Sequence, residues 1–267
     1  MPFFLSQGHT LHYEVQGDGF PIIFIHPPAM GSAAFYHQQK LARGFKVILM
    51  DARGHGLSSS GRETLTISEW AEDVHNLADL LGLDQVLLCG YSSGGSTALE
   101  FALRWPERTA GVALAGGFPE VCTTLLEREF EIGIHITDKG WMGLLAWMLS
   151  VGNATQAEHR ERIADAVKRS SAPLVRSLYE SGLHYSCTAG LSSLSRPLLL
   201  LYGTRDWYVH YYQYMFYKYA VQAPKDIVMV QGVGHQIPTL QPGSYNVAVT
   251  QFARQLETGV FPFRAST

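Results

Sequence analysis

The segment QVLLCGYSSGGSTALEFALRW, residues 85–105, decides the fold. It begins with an apolar run typical of a buried strand and ends with apolar residues at helical spacing. Between them, Gly90-Tyr91-Ser92-Ser93-Gly94 follows the pattern G-x-S-x-G. Glycines two before and two after Ser92 permit a tight strand-to-helix turn where larger side chains would clash. The turn would hold the Ser92 hydroxyl above the strand end, with the Ser93 N–H at the positive end of the helix dipole.

Short apolar runs and helical patterns alternate on both sides of this segment, which predicts βαβ units and a mostly parallel sheet. The strand-like runs are Leu11–Val15, Pro21–Ile25, Phe45–Met50, Gly111–Ala115, residues 197–203 and Asp226–Val230. The helix-like segments are Ser32–Arg43, Ser68–Leu81, Ser92–Trp105, Tyr211–Ala220 and Tyr245–Glu257. We therefore predict an α/β fold with a doubly wound, mostly parallel sheet of about eight strands.

Residues 120–195 are different, because they contain helix-length segments and no convincing strand. These segments are Thr123–Ile136, Lys139–Ser150, Ala154–Arg169 and Leu174–His184. We predict a helical insertion after the sixth strand, with residues 1–119 and 196–267 forming the core.

Two later loops carry the groups that a serine nucleophile needs. Asp206 follows the strand-like residues 197–203, and His235 follows Asp226–Val230. Loops at the carboxyl ends of parallel strands open on one edge of the sheet, the edge to which Ser92 is delivered. A serine needs a base, and the base needs an acid that orients it. Ser92, His235 and Asp206 are therefore the predicted catalytic triad.

The chain resembles the α/β-hydrolase fold superfamily, whose triad has the same chain order. Residues 51–58 (DARGHGLS) look like the family segment D-x-R-G-x-G-x-S, which we interpret as structural. The pieces G-x-x-D at 203–206 and G-x-G-H at 232–235 are similar to the family's acid and base loops. The resemblance implies that residues 120–195 form a cap of about four helices. In the turn at residues 90–94, which the family calls the nucleophile elbow, a serine also argues against those branches of the family that use an aspartate nucleophile.

One motif departs from the family. After the third strand the family usually has His-Gly-x, which supplies the second amide of the oxyanion hole, but here residues 26–30 read HPPAM. Proline has no N–H, so Pro27 and Pro28 cannot donate. The second donor must be Ala29 or Met30, and we predict Ala29 beside Ser93. Losing one such donor costs on the order of 3 kcal/mol of transition-state stabilisation.

Other residues are candidates for the acid or the substrate pocket. Glu120 follows the sixth strand, where some relatives place the acid, and is the alternative to Asp206. His26 is expected to be a hydrogen-bonded structural residue, although it also stands among the pocket candidates. The predicted pocket residues are His26, Met30, Trp141, Trp147, Trp207 and Tyr208.

Composition excludes several classes of protein. With 46% hydrophobic and 16% charged residues the chain is expected to be globular, and a net charge of -3 argues against nucleic acid and anionic membranes as partners. The start has no signal-peptide pattern, so a cytoplasmic location is expected. Three cysteines without CxxC indicate free thiols, although a disulfide between Cys122 and Cys187 stays open. No metal or other cofactor is expected, the partner is a small-molecule substrate, and the chain is a monomer or homodimer.

These observations predict a serine hydrolase that cleaves a small to medium, mostly apolar carboxylic ester through an acyl-enzyme. Three related activities stay open: a carbon–carbon bond hydrolase, a lactonase and a cofactor-free perhydrolase. The alternative from another class is a ligand-binding signalling protein of the same fold with slow or single turnover.

Overall fold

The computed structural model describes residues 2–61 and 64–259. Over these residues eight strands form one sheet. They are β1 Phe3–Ser6, β2 His9–Gln16, β3 Pro21–Ile25, β4 Lys46–Met50, β5 Val86–Tyr91, β6 Thr109–Ala115, β7 Leu198–Gly203 and β8 Lys225–Val230. Their order in the sheet is β1-β2-β4-β3-β5-β6-β7-β8; β2 is antiparallel to both of its neighbours, β1 and β4, and the other neighbouring strands are parallel. The predicted fold class is confirmed, and β1 is a strand that the sequence pattern did not predict.

Helices cover both faces of this sheet. They are α1 Ile67–Leu80, α2 Gly94–Arg104, α3 Thr124–Asp138, α4 Met142–Asn153, α5 Ala157–Arg169, α6 Ala172–His184, α7 Gln213–Tyr219, α8 Ile237–Leu240 and α9 Pro242–Thr258. Strand side chains alternate between two apolar clusters: Ile23 and Ile25 pack with α1 and α2, and Ile22 and Phe24 pack with α9. Burial on both faces explains why the strands read as continuous apolar runs.

Two predicted helices are wrong in type or length. Residues 32–43 form two 3-10 helices, Gly31–Phe35 and Gln38–Arg43, instead of one α-helix. The Gln38 side chain donates to the Pro238 carbonyl and to the Asn246 side chain, both at 3.0 Å, so contacts with the distant end of the chain shape this segment. The predicted helix at 211–220 is shorter, because a 3-10 turn at His210–Tyr212 precedes α7.

The structure places four helices, α3 to α6, between β6 and β7. They fall within residues 120–195, as the periodicity indicates. The division of the chain into a core and a cap stays a prediction, and parts of the predicted core, residues 62–63 and 260–267, lie outside the described residues.

The loop after β4 is held by buried charges. Asp51 accepts hydrogen bonds from His12 Nδ1 at 2.8 Å and from the amides of Ser32 and Leu57. Arg53 instead pairs with Asp73 of α1, through contacts of 2.7 and 2.8 Å between side chains with no solvent exposure. Both side chains therefore have the structural role that was expected of the motif at residues 51–58.

The turn between β5 and α2 is tightly packed against backbone. A Cβ added at Gly94 would lie 2.2 Å from the Ile25 carbonyl oxygen and 2.8 Å from that of His26. A Cβ at Gly90 would lie 2.5 Å from the Gly95 Cα. The end of β3 and the start of α2 can approach this closely only because Gly94 has no side chain.

Three further findings concern the cysteines, the lengths of the helices and the clusters of metal-ligating side chains. Cys89, Cys122 and Cys187 are all free thiols, so no disulfide joins Cys122 to Cys187. No helix among the described residues is long and apolar enough to span a membrane. No group of three or more His, Cys, Asp or Glu side chains in those residues could hold a metal ion.

We predict that Gly94→Ala lowers the free energy of unfolding by about 3 kcal/mol, because backbone atoms at 2.2 Å cannot move aside cheaply. The matched control is Gly95→Ala, whose Cβ would lie 3.2 Å from the flexible Leu114 side chain and at an ordinary contact distance of 3.5 Å from the Gly117 Cα. That variant should be close to neutral, since alanine favours a helix over glycine. Urea unfolding of both variants measures the difference, and equal midpoints would contradict the packing argument.

We also predict that Asp73→Ala lowers Tm by about 10 °C. Removing one partner of a buried ion pair costs about 3–5 kcal/mol, and each kcal/mol is about 2–4 °C in a chain of this size. The control is Glu131→Ala, which breaks the exposed pair with Arg128 and should shift Tm by no more than about 2 °C. Calorimetry that finds similar shifts for both variants would show that the Arg53–Asp73 pair does not hold the loop.

Candidate active site

Ser92 stands in a strained turn at the carboxyl end of β5. Its φ is +54°, in the left-handed region that residues other than glycine rarely adopt. Its amide donates to the Ala115 carbonyl at 2.9 Å, which ties the turn to the end of β6. The residue is half-buried, and Ser93 beside it is buried at the N-terminus of α2. Strain of this kind costs about 1–3 kcal/mol and is concentrated at functional sites.

His235 and Asp206 form a buried pair. The imidazole Nδ1 lies 2.9 Å from Asp206 Oδ2, and the other carboxylate oxygen accepts from the Val209 amide at 3.2 Å. Burial opposes the charged imidazole, but the hydrogen bond and charge of Asp206, together with the charge of Glu129, raise the pKa of His235 above its ordinary value. A carboxylate on Nδ1 leaves Nε2 as the atom that can accept a proton.

The fold brings this pair to the serine. A Cβ added at Gly116, the residue after β6, would lie 2.5 Å from His235 Cε1, so the imidazole rests on the same stretch of backbone that binds the Ser92 amide. The ring of Tyr91, the residue before Ser92, is centred 5.6 Å from the imidazole. His235 Nε2 is buried, and no hydrogen-bond partner for it is found among the described residues. The fold therefore brings the predicted nucleophile, base and acid to one edge of the sheet.

Glu120, the alternative acid, lies elsewhere. It accepts a hydrogen bond from Ser186 Oγ at 2.6 Å and bridges to that residue through the backbone. Its carboxylate thus ties the start of the helical insertion to its end, while Asp206 contacts the histidine.

Both ring nitrogens of His26 form hydrogen bonds with backbone groups. The Ala52 amide donates to its Nε2 at 3.0 Å, so Nε2 carries no proton and Nδ1 donates to the Pro27 carbonyl at 2.8 Å. Burial is the main cause of a lowered His26 pKa, which agrees with a neutral ring. Because both nitrogens are engaged, His26 offers no polar group to a substrate and instead joins the loop after β3 to the loop after β4.

The loop after β3 is shaped by Ala29. Its φ is +72°, it is fully buried, and its carbonyl accepts a hydrogen bond of 3.3 Å from Ser170 Oγ at the end of α5. The N–H of a trans peptide points away from its carbonyl, so the Met30 amide points away from Ser170. The loop starts at Ile25 and His26, whose carbonyl groups lie against Gly94, the residue after Ser93.

The predicted pocket residues separate into two groups. Tyr208 is half-buried with its ring centre 5.6 Å from His235, and Met30 is buried in the core. Trp141, Trp147 and Trp207 are 51%, 62% and 76% exposed. Tyr208 is thus the candidate that the structure brings beside the histidine, while the three tryptophans lie at the surface.

Three polar residues near the site were not identified from the sequence. Tyr91 donates to the Asn153 side chain at 2.9 Å, and Thr239 donates to the same oxygen at 3.4 Å. Asn153 is the last residue of α4, so the insertion touches both the residue before Ser92 and the helix after His235. Glu129 of α3 also acts on His235 electrostatically. No pattern marks such residues, because each belongs to a different part of the chain.

Comparisons with known proteins agree with this architecture. A family profile described as "Alpha/beta hydrolase family" matches residues 22–248. The chain is 38% identical over 115 residues to a 2-hydroxy-6-oxononadienedioate/2-hydroxy-6-oxononatrienedioate hydrolase of Pseudomonas putida, a match covering 40% of each chain. The matched stretches span half or less of the length of such curated relatives.

Solved structures match over most of the chain. A thermophilic esterase from Thermogutta terrifontis superposes with a TM-score of 0.80 at 23% identity, covering 95% of this chain and 97% of that one. The enol-lactonase from Burkholderia xenovorans superposes with a TM-score of 0.81 at 21% identity, covering 95% and 100%. At identities this low, the superpositions establish a shared fold and no more. Together with the profile match over most of the length, they establish that the chain belongs to the alpha/beta hydrolase family.

Proposed function

We propose that this protein is a serine hydrolase that cleaves small to medium, mostly apolar carboxylic esters. The observation that carries the proposal is the buried His235–Asp206 pair: its Nε2 has no hydrogen-bond partner among the described residues, and its ring is centred 5.6 Å from that of Tyr91, the residue before the strained Ser92. Relatives named as an esterase and an enol-lactonase share the fold and add support from similarity.

The chemistry proceeds in two halves. Ser92 Oγ attacks the ester carbonyl while His235 Nε2 takes its proton, and the imidazolium then protonates the leaving alcohol. Asp206 holds the ring by Nδ1 and stabilises its positive charge. Water, activated by the same histidine, hydrolyses the acyl-enzyme. The Ser93 amide, with that of Ala29 as helper, stabilises the negative charge on the carbonyl oxygen.

A second candidate uses the same residues on a different bond. The relative from Pseudomonas putida is named for an oxo acid and not for an ester, so a carbon–carbon bond beside a ketone is the competing substrate. Parallel assays with simple esters and with a β-diketone compare the two. Faster turnover of the diketone would replace the ester proposal.

We expect Ser92→Ala and His235→Ala each to lower kcat for p-nitrophenyl esters by about 10³- to 10⁶-fold, because neither group replaces the other in proton transfer. Steady-state assays from acetate to dodecanoate measure the loss and the preferred acyl length. The matched control is Ser96→Ala, which removes a buried hydroxyl one turn further along α2.

Two results would contradict this prediction. If the Ser92 and His235 variants keep the wild-type rate, the triad assignment fails. If the wild type releases one equivalent of product and then stops, a ligand-capturing protein is the better description.

The pH dependence provides a separate prediction. His235 must be neutral to accept a proton, so kcat/KM rises with pH through its pKa, which lies above the ordinary value. Asp206→Asn removes the hydrogen bond and charge that raise this pKa. The midpoint of the acid limb should therefore move to lower pH, while kcat falls by about 10⁴-fold.

The control is Asp84→Asn, which changes the same charge at an exposed position before β5, at the opposite end of that strand from Ser92. Rate profiles between about pH 5 and pH 9 measure the shift. An acid limb that stays in place in Asp206→Asn, or that moves equally in Asp84→Asn, would show that Asp206 does not set the pKa of the base.

A further inference from the structure

The imidazole of His235 is surrounded by packing contacts in addition to its hydrogen bond with Asp206. The rings of Tyr91 and Tyr208 are each centred 5.6 Å from it and are tilted to its plane by 35° and 34°. The backbone at Gly116 lies so close that an added Cβ would be 2.5 Å from the imidazole Cε1. The torsion that rotates a histidine ring has broad minima, so packing contacts decide the direction in which Nε2 points.

The Tyr91 ring is fixed at its far end by Asn153, the last residue of α4. The Tyr91 hydroxyl donates to Asn153 Oδ1 at 2.9 Å. Both residues are buried, with 2% and 5% of their surfaces exposed, so the hydrogen bond is shielded from solvent. The ring beside His235 is therefore held at both ends, by the backbone of β5 and by α4.

The side-chain amide of Asn153 is itself held in one orientation. Its Nδ2 donates to the Leu149 carbonyl, one turn earlier in α4, at 3.0 Å, which directs Oδ1 toward Tyr91. The Thr239 hydroxyl, on the short helix α8 that follows His235, lies 3.4 Å from the same oxygen. One amide group thus bridges the strand that leads to the predicted nucleophile and the helix that follows the predicted base.

Proton transfer depends on where the imidazole Nε2 lies. In the proposed acyl transfer Nε2 takes the proton of Ser92 and then gives it to the leaving alcohol, and both steps require hydrogen-bond distance. A misplacement of about 1 Å can lower the rate of such a step about 100-fold. Asparagine carries no charge, so Asn153 acts on the base through position and not through charge.

We propose that Asn153 is a positioning residue for the base. It holds the Tyr91 hydroxyl, and the Tyr91 ring in turn keeps the imidazole of His235 aligned with Ser92. This inference rests on the proposed acyl transfer. It makes α4 part of the machinery for proton transfer, through one hydrogen bond to the residue before the nucleophile.

The test removes this hydrogen bond from each side. Asn153→Leu keeps the size of the side chain and removes the acceptor, while Tyr91→Phe keeps the ring and removes the hydroxyl. We expect each variant to lower kcat for p-nitrophenyl acetate about 10- to 100-fold and to change KM by less than about twofold. The double variant should be no slower than the slower single variant, because all three lack the same hydrogen bond.

The matched control is Asn76→Leu. Asn76 Nδ2 donates to Ser6 Oγ at 2.9 Å, so this variant also loses a side-chain hydrogen bond, between α1 and the edge strand β1. Its kcat should stay at the wild-type value. Circular dichroism and Tm establish that each variant is folded. If Asn153→Leu does not fold, Tyr91→Phe, which removes a single oxygen, provides the test.

Labelling with a fluorophosphonate separates this inference from the proposed function. The hydroxyl of Ser92 displaces fluoride from phosphorus while His235 takes its proton, so the reaction needs the base but no ester. Labelling should be slower in Asn153→Leu and Tyr91→Phe than in the wild type and in Asn76→Leu. If this difference is found but no ester is cleaved, the positioning role stands and ester hydrolysis fails.

Three results would overturn the inference while leaving ester hydrolysis in place. The first is cleavage and labelling at wild-type rates in both single variants. The second is a loss that appears in KM alone, which would indicate a change in substrate binding and not in proton transfer. The third is a double variant in which the two losses multiply, which would show that Asn153 does not act through Tyr91.

Discussion

The close approach of two backbones at the elbow is the constraint on which the rest of the site depends. The start of α2 lies so near the end of β3 that a single added carbon at Gly94 would reach the Ile25 carbonyl. This contact places the Ser92 turn against the loop that carries Pro27, Pro28 and Ala29. It also forces Ser92 into the left-handed region, since the chain must reverse within the few residues between β5 and α2. The strained serine is therefore a consequence of how strand and helix pack.

Buried charged and polar side chains then fix the loops around the elbow, because each of them can satisfy several backbone groups at once. Asp51 binds two amides and a histidine, while Arg53 reaches across to Asp73 of α1. His26 connects the loop after β3 to the loop after β4 through both ring nitrogens. Unpaired, such groups would be costly to bury, so the loops cannot move independently without losing these bonds. The network thereby fixes the loops after β3 and β4 relative to each other.

The helices between β6 and β7 contribute to the site directly. Asn153 at the end of α4 binds Tyr91, and Ser170 at the end of α5 binds the Ala29 carbonyl. These helices thus contact the residue before Ser92 and the loop that we predict to stabilise the oxyanion. A change in the packing of these helices would alter the position of reacting groups as well as the shape of the pocket.

The sequence alone predicted the features that depend on local chemistry. The G-x-S-x-G turn, the apolar strands and the loops that carry Asp206 and His235 could be found because glycine spacing and burial on both faces leave regular patterns. Tertiary structure decided what depends on distant neighbours. Residues 31–43 form two 3-10 helices, with Gln38 hydrogen-bonded to residues near the end of the chain. The imidazole of His26 is hydrogen-bonded to backbone and not directed to a substrate. Tertiary structure likewise brought Tyr208 beside His235 and Asn153 beside Tyr91, and left Trp141, Trp147 and Trp207 exposed. Periodicity reports which face of a helix is apolar but not what that face meets, because partners far apart in the chain are joined only when the whole sheet and its helices assemble.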